Sequence, residues 1–350
     1  MSLPAGFDHA EALDMLAMCA IVELAPLKVQ PPIPDPPAGW TSLFVSPVIP
    51  PFDNMWQLWK RDRDGAFAIA IRGTVYQPGS IVEDLLALMI EATGTITVDG
   101  VSLPYSFAAD PLAGVHLGFA TATLLVAQLP IIGILEQLQF NGVGAGSNVY
   151  VTGHSQGAAM ATLLRSYLQY GAGMPQGIGY KTYVFAQPKP GNDHYAADFE
   201  NRFSNTGLGY RVTNSLDWVP QMPFTIEILS DINVPNPLSV LTQTEQLIRI
   251  GAAMHVRAIT TLVHDASHLI VAREIARVRP ALQALVTAKA GPAAAVPGAS
   301  IDLPLMFSFN YVNAATNFSL MGSPCSNPQE CSDEFFEHHA ETYYKLLLVA

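Results

Sequence analysis

From Gly65 onward, short apolar runs that end in turn residues alternate with longer stretches of helical composition. The four clearest runs are residues 66–71, 148–152, 183–186 and 210–214. Strands that alternate with helices form βαβ units, so the pattern predicts an α/β fold with a mostly parallel central sheet flanked by helices. The turns after the strands of such a sheet meet at one edge, which is where functional side chains gather.

Two segments depart from this alternation. Residues 28–52 are rich in proline, which predicts an entry segment without regular structure. Residues 244–288 are rich in Leu, Ile, Ala and Arg and predict two or three helices, followed by a flexible linker at 291–300. We therefore expect a single domain over residues 1–350, with a helical insertion or cap at 225–299.

The amino-acid composition and net charge limit the kinds of partner that the chain is expected to bind. Half of the 350 residues are hydrophobic and 13% are charged, against roughly 25% charged in an average soluble chain, which excludes intrinsic disorder. The 17 Lys and Arg residues against 29 Asp and Glu give a net charge of −12. Because nucleic-acid binding needs a basic face, we expect no nucleic-acid partner. Anionic membranes are disfavoured for the same reason, whereas neutral lipid is not.

The chain shows neither a membrane span nor an export signal. Residues 115–135 carry no Lys, Arg, Asp or Glu but are interrupted by Gln128, Pro130 and Gly133, so no transmembrane segment is expected. Residues 1–20 contain three acidic residues and no basic one, unlike a secretory signal.

The sequence Gly153-His154-Ser155-Gln156-Gly157 follows an apolar strand and opens a helix. This is the context of a nucleophile elbow, in which a sharp turn lifts the serine hydroxyl out of the sheet. Glycine flanks the serine because a side chain there would collide with neighbouring backbone. The motif predicts Ser155 as a nucleophile and the backbone N–H of Gln156 as a donor to developing negative charge. His154 is expected to pack beneath the elbow.

A serine nucleophile needs a histidine base, and the histidine needs a carboxylate that orients it. The carboxylate candidates after the elbow are Asp217, which follows a strand end, and Asp193 and Asp231 in reserve. The histidines that follow Asp217 are His255, His264, His268, His338 and His339. His264 and His268 have metal-ligand spacing without a third ligand, so no metal is expected.

Five successive blocks make the chain similar to the class 3, fungal-type lipase family of the α/β-hydrolase fold. They are residues 71–74, 115–119, 151–157, 185–192 and 210–220, with a histidine before a tyrosine near the C-terminus. The chain departs from the family at Gln156, where leucine is usual, at Ala158, where glycine is usual, and in the length of the insertion after Phe224.

The resemblance implies a role for each site residue. It makes Asp217 the acid and favours His339 over His338 as the base, because a tyrosine follows His339 by four residues. It places Thr74 in the oxyanion hole beside Gln156. No cofactor is implied.

The resemblance also implies an activity, the hydrolysis of lipid carboxylic esters through an acyl-enzyme at a neutral lipid–water interface. Triacylglycerols or shorter glycerides are the expected substrates, and a lid is expected in the loop-rich segment from Thr74 to Gly114. Three alternatives remain: a general or feruloyl-type carboxylesterase that acts on soluble esters, a phospholipase, and a lipase-like scaffold without turnover.

The cysteines indicate the cellular compartment in which the protein is expected to function. Cys325 and Cys331 bracket a short loop and are predicted to form a disulfide, which is typical of exported proteins. The bridge and the family resemblance favour secretion, although no signal peptide is visible.

Overall fold

The structure is a computed structural model. It describes residues 3–23, 32–73, 88–225, 252–291, 300–306, 308–325 and 332–350, and of residues 252–270 the backbone alone. Asp231, most of the predicted linker and residues 74–87 of the predicted lid segment lie outside these ranges.

A seven-stranded sheet forms the centre of the molecule, in the order β1-β2-β3-β8-β9-β10-β13. Its strands are β1 Trp40–Val45, β2 Trp56–Arg61, β3 Phe67–Ile71, β8 Asn148–His154, β9 Gly179–Phe185, β10 Gly209–Asn214 and β13 Thr316–Leu320. From β3 to β13 all neighbours are parallel, and β1 and β2 are antiparallel additions at one edge. The mostly parallel sheet is confirmed, and the four predicted strands lie side by side in it.

Six shorter strands form two three-stranded sheets. They are β4 Met89–Glu91, β5 Thr93–Val98, β6 Val101–Ser106, β7 Gly114–His116, β11 Ile301–Asp302 and β12 Leu305–Met306. The prediction of a loop-rich segment up to Gly114 is therefore wrong. Asp99 and Gly100 both have positive φ and close a two-residue hairpin between β5 and β6, a turn that Asp-Gly favours.

The prediction that residues 28–52 lack regular structure is also wrong, because β1 lies within them. The strand pairs with β2 on one side only. An edge strand tolerates neighbouring prolines because its outer N–H groups need no ladder partner.

Helices cover both faces of the central sheet. They are α1 His9–Val22, α2 Leu117–Gln128, α3 Ile134–Phe140, α4 Gln156–Tyr170, α5 Asp193–Phe199, α6 Ala252–Ala290 and α7 Ala340–Val349. Alternate residues of β8 enter the two apolar layers: Val149 and Val151 pack with α2 and α4, whereas Tyr150 packs with α1 and α7. The period of two along a strand thus builds a three-layer fold.

The helical insertion differs from its prediction in detail. A single helix, α6, runs through Pro280 where two or three helices were expected. Its residues Val278, Leu282, Leu285 and Val286 are buried in the same core as α2. This half of α6 therefore packs as part of the core. The division into one domain with an insertion stays a prediction.

Residues 115–135 divide into the end of β7, α2 and the start of α3. Within the described ranges, none of the helices is both long and apolar enough to cross a bilayer.

The two described cysteines differ in oxidation state. Cys325 is disulfide-bonded, whereas Cys19 is a free buried thiol. The remaining cysteine of the three, Cys331, lies outside the described residues.

A buried charge network ties α1 to the sheet. The Glu11 carboxylate accepts hydrogen bonds from Lys181 Nζ at 2.7 Å, from the Tyr183 hydroxyl at 2.9 Å and from the Tyr150 hydroxyl. The Lys181 side chain is fully buried on β9 and also donates to the carbonyl oxygen of Pro4. Removing Lys181 alone would take the nearest cation from the buried Glu11 carboxylate and leave Arg61 Nη1 at 4.0 Å, which is more costly than removing both Glu11 and Lys181.

We predict that Lys181→Met lowers the free energy of unfolding by about 3 kcal/mol because the Glu11 carboxylate loses its nearest cation and keeps only Arg61, at 4.0 Å. The double variant Glu11→Leu/Lys181→Met should recover part of this loss, whereas Lys345→Met, at an exposed position of α7, should stay within about 0.5 kcal/mol of wild type. Urea denaturation followed by circular dichroism measures all three. Equal losses in Lys181→Met and Lys345→Met would contradict the network.

Candidate active site

Ser155 occupies a strained turn between β8 and α4. Its φ of 57° and ψ of −131° are unusual for a residue with a side chain. A β-carbon on Gly153 would overlap the carbonyl oxygen of Gly157, and one on Gly157 would overlap that of Ile71. The sequence therefore folds into the predicted strand–turn–helix elbow, with the two glycines allowing three backbone segments to meet.

Asp217 lies in the turn that follows β10 and is 2% exposed. Its Oδ1 accepts a hydrogen bond from the Val219 N–H at 3.0 Å, and its Oδ2 accepts one from the Tyr343 hydroxyl at 2.8 Å. The Tyr343 hydroxyl in turn accepts the Asn214 N–H at 3.1 Å. These contacts fix the carboxylate so that Oδ2 also faces a histidine.

That histidine is His338. Its Nδ1 lies 2.8 Å from Asp217 Oδ2, and its Nε2 lies 2.8 Å from Ser155 Oγ. His338 ends a 3₁₀ helix, Phe336–His338, and its ring is 1% exposed. The structure thus joins Ser155 to Asp217 through one imidazole, an arrangement that can take the hydroxyl proton and stabilise the resulting imidazolium.

The choice of His339 as the base is wrong. His339 directly precedes α7, and its Nε2 lies 2.7 Å from Asp333 Oδ2 at the surface, where the side chain is 32% exposed. The end of the 3₁₀ helix sends adjacent side chains in different directions, with His338 inward and His339 outward. The spacing to Tyr343 misleads because that tyrosine contacts the carboxylate of Asp217 instead of setting the histidine's position.

Burial sets the protonation of His338. Loss of hydration lowers the pKa of its imidazole, and the neighbouring Asp217 carboxylate only partly restores it, so that the pKa stays below the usual 6.5. At neutral pH the ring is therefore neutral and able to accept a proton.

The space for an oxyanion lies between α4 and the end of β3. Gln156 begins α4, so its backbone N–H is at the positive end of the helix dipole. A β-carbon on Gly73 would lie 3.1 Å from Ser155 Cβ, so the chain after β3 passes close beside the nucleophile. Thr74, the other predicted donor, lies outside the described residues. Asp193 lies elsewhere, on α5, and accepts a hydrogen bond from Asn310.

Glu23 contributes to the site and has no usable signal in the sequence, whereas His154 was expected beneath the elbow. Glu23, at the C-terminal end of α1, lies 2.8 Å from His154 Nδ1, and His154 Nε2 lies 2.8 Å from the His338 carbonyl oxygen. Glu23 is more than a hundred residues from the elbow in the sequence, so only the packing of α1 brings it there. Among the described residues no three His, Cys, Asp or Glu side chains are grouped as metal ligands would be.

Part of the chain matches a known protein family. Residues 68–227, just under half of the chain, match the family described as lipase (class 3). The match includes β3, the elbow and the turn that carries Asp217, and it ends before His338.

Two curated fungal proteins are similar in sequence. A secreted mono- and diacylglycerol lipase of Fusarium solani is 34% identical over 31% of this chain and 30% of its own length. A secreted mono- and diacylglycerol lipase of Malassezia restricta is 29% identical over 44% of this chain and 46% of its own. The chain thus spans less than half the length of each.

Solved lipase structures are also similar. Lipase II from Rhizopus niveus is 20% identical, covering 62% of this chain and 73% of its own, with a TM-score of 0.41. The likeness is too low to bear on this chain's activity.

We predict that diethyl p-nitrophenyl phosphate phosphorylates Ser155, and that His338→Ala slows this step by at least about 10³-fold. The Oγ–P bond forms, p-nitrophenolate leaves, and His338 takes the hydroxyl proton. His339→Ala serves as the matched control and should react like wild type. Release of p-nitrophenolate gives the rate, and a slow His339→Ala with a normal His338→Ala would reverse the assignment.

The pH dependence of the same reaction should follow His338. Because the pKa of the His338 ring is lowered, half of the rings are already deprotonated at a pH below 6.5. The rate constant should therefore rise with pH and reach its plateau near pH 7. A stopped-flow pH series measures this. A half-maximal rate above pH 6.5 would be inconsistent with the buried, desolvated imidazole.

Proposed function

We propose, from the match of residues 68–227 to the class 3 lipase family, that the protein is a serine hydrolase of lipid carboxylic esters. The observation that carries the proposal is the array in which His338 contacts both Ser155 Oγ and Asp217 Oδ2 at 2.8 Å. The activity and the substrate are both part of the proposal, because the curated relatives are matched over less than half of their length.

The array supports attack by Ser155 on an ester carbonyl. As the Oγ–C bond forms, Nε2 of His338 takes the hydroxyl proton, and the buried Asp217 carboxylate stabilises the imidazolium. The former carbonyl oxygen becomes an oxyanion beside the N-terminus of α4, where the Gln156 N–H is the proposed donor. Thr74 remains the proposed second donor. Each such donor contributes about 3–4 kcal/mol to the transition state.

The same groups complete the reaction in reverse roles. His338 gives its proton to the departing alcohol as the C–O bond breaks, which leaves an acyl group on Ser155. Water then attacks the acyl carbon while His338 takes its proton. Collapse of the second oxyanion breaks the bond between Ser155 Oγ and the acyl carbon, His338 returns the proton to Oγ, and the carboxylic acid leaves. The scheme uses the side chains of Ser155, His338 and Asp217, the proposed oxyanion donors and water.

Apolar surface near the site supports a lipid substrate. Leu216 directly precedes Asp217 and is 45% exposed, and Met321 follows β13 and is 82% exposed. Both come after the carboxyl ends of parallel strands, on the edge of the sheet that holds Ser155. Exposed apolar side chains beside a catalytic site suit a neutral lipid surface.

Acylglycerols are the substrate class that we propose. The two curated relatives are named for mono- and diacylglycerols, so partial glycerides join the triacylglycerols among the candidates. A preference for soluble esters would instead favour the general or feruloyl-type carboxylesterase.

We predict hydrolysis of p-nitrophenyl esters and of mono-, di- and triacylglycerol emulsions, with the rate rising where the substrate passes its solubility limit. Ser155→Ala should lose up to about 10⁶-fold in kcat because no nucleophile remains. A pH-stat measures emulsions, and p-nitrophenolate release measures dissolved esters.

Three outcomes separate the alternatives. Saturation below the solubility limit would favour a soluble-ester hydrolase. Release of fatty acid from phospholipid vesicles alone would favour a phospholipase. Wild-type protein that hydrolyses no ester of any chain length would contradict the proposal and favour a binding scaffold.

A further inference from the structure

A second carboxylate–histidine pair, Glu23 and His154, lies directly beneath the pair formed by Asp217 and His338. Glu23 Oε1 lies 2.8 Å from His154 Nδ1, and His154 Nε2 lies 2.8 Å from the main-chain carbonyl oxygen of His338. The centroids of the His154 and His338 rings are 4.9 Å apart. The His154 side chain is 1% exposed and that of Glu23 is 15% exposed, so water cannot replace these contacts freely.

The two contacts of His154 require a definite number of protons. A carbonyl oxygen only accepts, so His154 Nε2 must carry a hydrogen to bond with His338. A second proton must lie between His154 Nδ1 and Glu23 Oε1, on one atom or the other. If that proton is lost, a nitrogen lone pair faces either the carboxylate or the carbonyl oxygen, and one of the two hydrogen bonds breaks.

We propose that Glu23 and His154 are positioning residues that share this proton and hold the main chain of His338, so that its ring stays aligned between Asp217 and Ser155. The inference rests on the proposed serine-hydrolase chemistry, and it adds to that chemistry two residues that do not touch the substrate. His154 precedes the nucleophile in the chain and bonds to the base, so it ties the two reacting groups to each other.

The fold gives the pair a rigid support. Glu23 caps the C-terminal end of α1, where its N–H donates to the Cys19 carbonyl oxygen. Helix α1 is tied to the sheet through Glu11 and Lys181. The position of the His338 backbone therefore depends on a helix that starts near the opposite end of the strands.

Other titratable groups face the pair from every element packed around it. They are Cys19 on α1, Arg72 after β3, Asp217 after β10, His338 in the 3₁₀ helix and Tyr343 on α7. The Asp217 carboxylate favours a charged His154, which places the shared proton on His154.

The balance of forces on His154 agrees with this. Burial by itself lowers the pKa of the ring, but the Glu23 and Asp217 carboxylates and the His338 carbonyl oxygen together outweigh burial, and the net pKa is raised above 6.5. The proton is therefore lost at a higher pH than from a free imidazole, as the pH rises through the raised pKa.

The test uses phosphorylation of Ser155 by diethyl p-nitrophenyl phosphate, which needs the aligned base but no lipid. In His154→Leu the His338 carbonyl loses its donor, and we expect the maximal rate to fall about 10²-fold, the effect of a misplacement near 1 Å, with the half-saturating concentration unchanged. Asp333→Asn is the matched control, since it breaks a surface carboxylate–histidine pair, and should react like wild type.

The variant Glu23→Gln separates the effect of the shared proton from the effect of side-chain packing. The glutamine amide can donate to His154 Nδ1 while Nε2 still donates to His338, so both bonds form around a neutral ring. We expect a rate within about threefold of wild type at pH 7. At alkaline pH, beyond the plateau, we expect the wild-type rate to fall as the shared proton leaves, and we expect Glu23→Gln to lack this decline. Circular dichroism of each variant confirms that it is folded.

Two results would overturn the inference: a folded His154→Leu that reacts at the wild-type rate, or identical pH profiles for Glu23→Gln and wild type. Either can occur while lipid esters are still hydrolysed, which leaves the proposed function intact. Conversely, wild type that is phosphorylated at Ser155 but hydrolyses no lipid ester defeats the proposed substrate and leaves this inference standing.

Discussion

The close approach of three backbone segments around Ser155 is the constraint on which the rest of the site depends. The end of β3, the end of β8 and the first turn of α4 meet where only hydrogen atoms fit, at Gly153 and Gly157. This contact forces Ser155 to a φ of 57° and directs its hydroxyl away from the sheet. The strain is tolerated because the parallel pairing of β3 with β8 and the packing of α4 over-determine the turn.

The sheet then gathers partners that are far apart in the sequence. Asp217 follows β10, two strands away from β8, and His338 precedes α7 near the C-terminus. Tyr343 on α7 holds the carboxylate, and His154 at the end of β8 holds the main chain of the histidine. Each orienting contact comes from an element whose position is set by the two apolar layers. The geometry of the site therefore depends on the packing of the core.

The sequence could predict what depends on local pattern. Four of the five parallel strands, the elbow at Ser155 and the position of Asp217 after β10 follow from apolar runs, turn residues and ordered motifs. The base could not be chosen in this way, because His338 and His339 are adjacent and only tertiary packing decides which side chain turns inward. The hairpin at Asp99-Gly100 has a local signal in the Asp-Gly dipeptide, whereas the proline-rich surroundings of β1 hide the edge strand in the sequence pattern. Glu23 had no signal at all, since its partner lies on another element.

The central claim is that Ser155 carries the acyl group during turnover. Mass spectrometry of the protein quenched during reaction with p-nitrophenyl acetate tests it most directly. The account predicts an acetyl group on the peptide that contains Ser155, formed at the rate of the initial p-nitrophenolate burst and absent from Ser155→Ala. Steady hydrolysis with an unmodified Ser155, or with the acetyl group stably on another residue that sustains turnover, would contradict it.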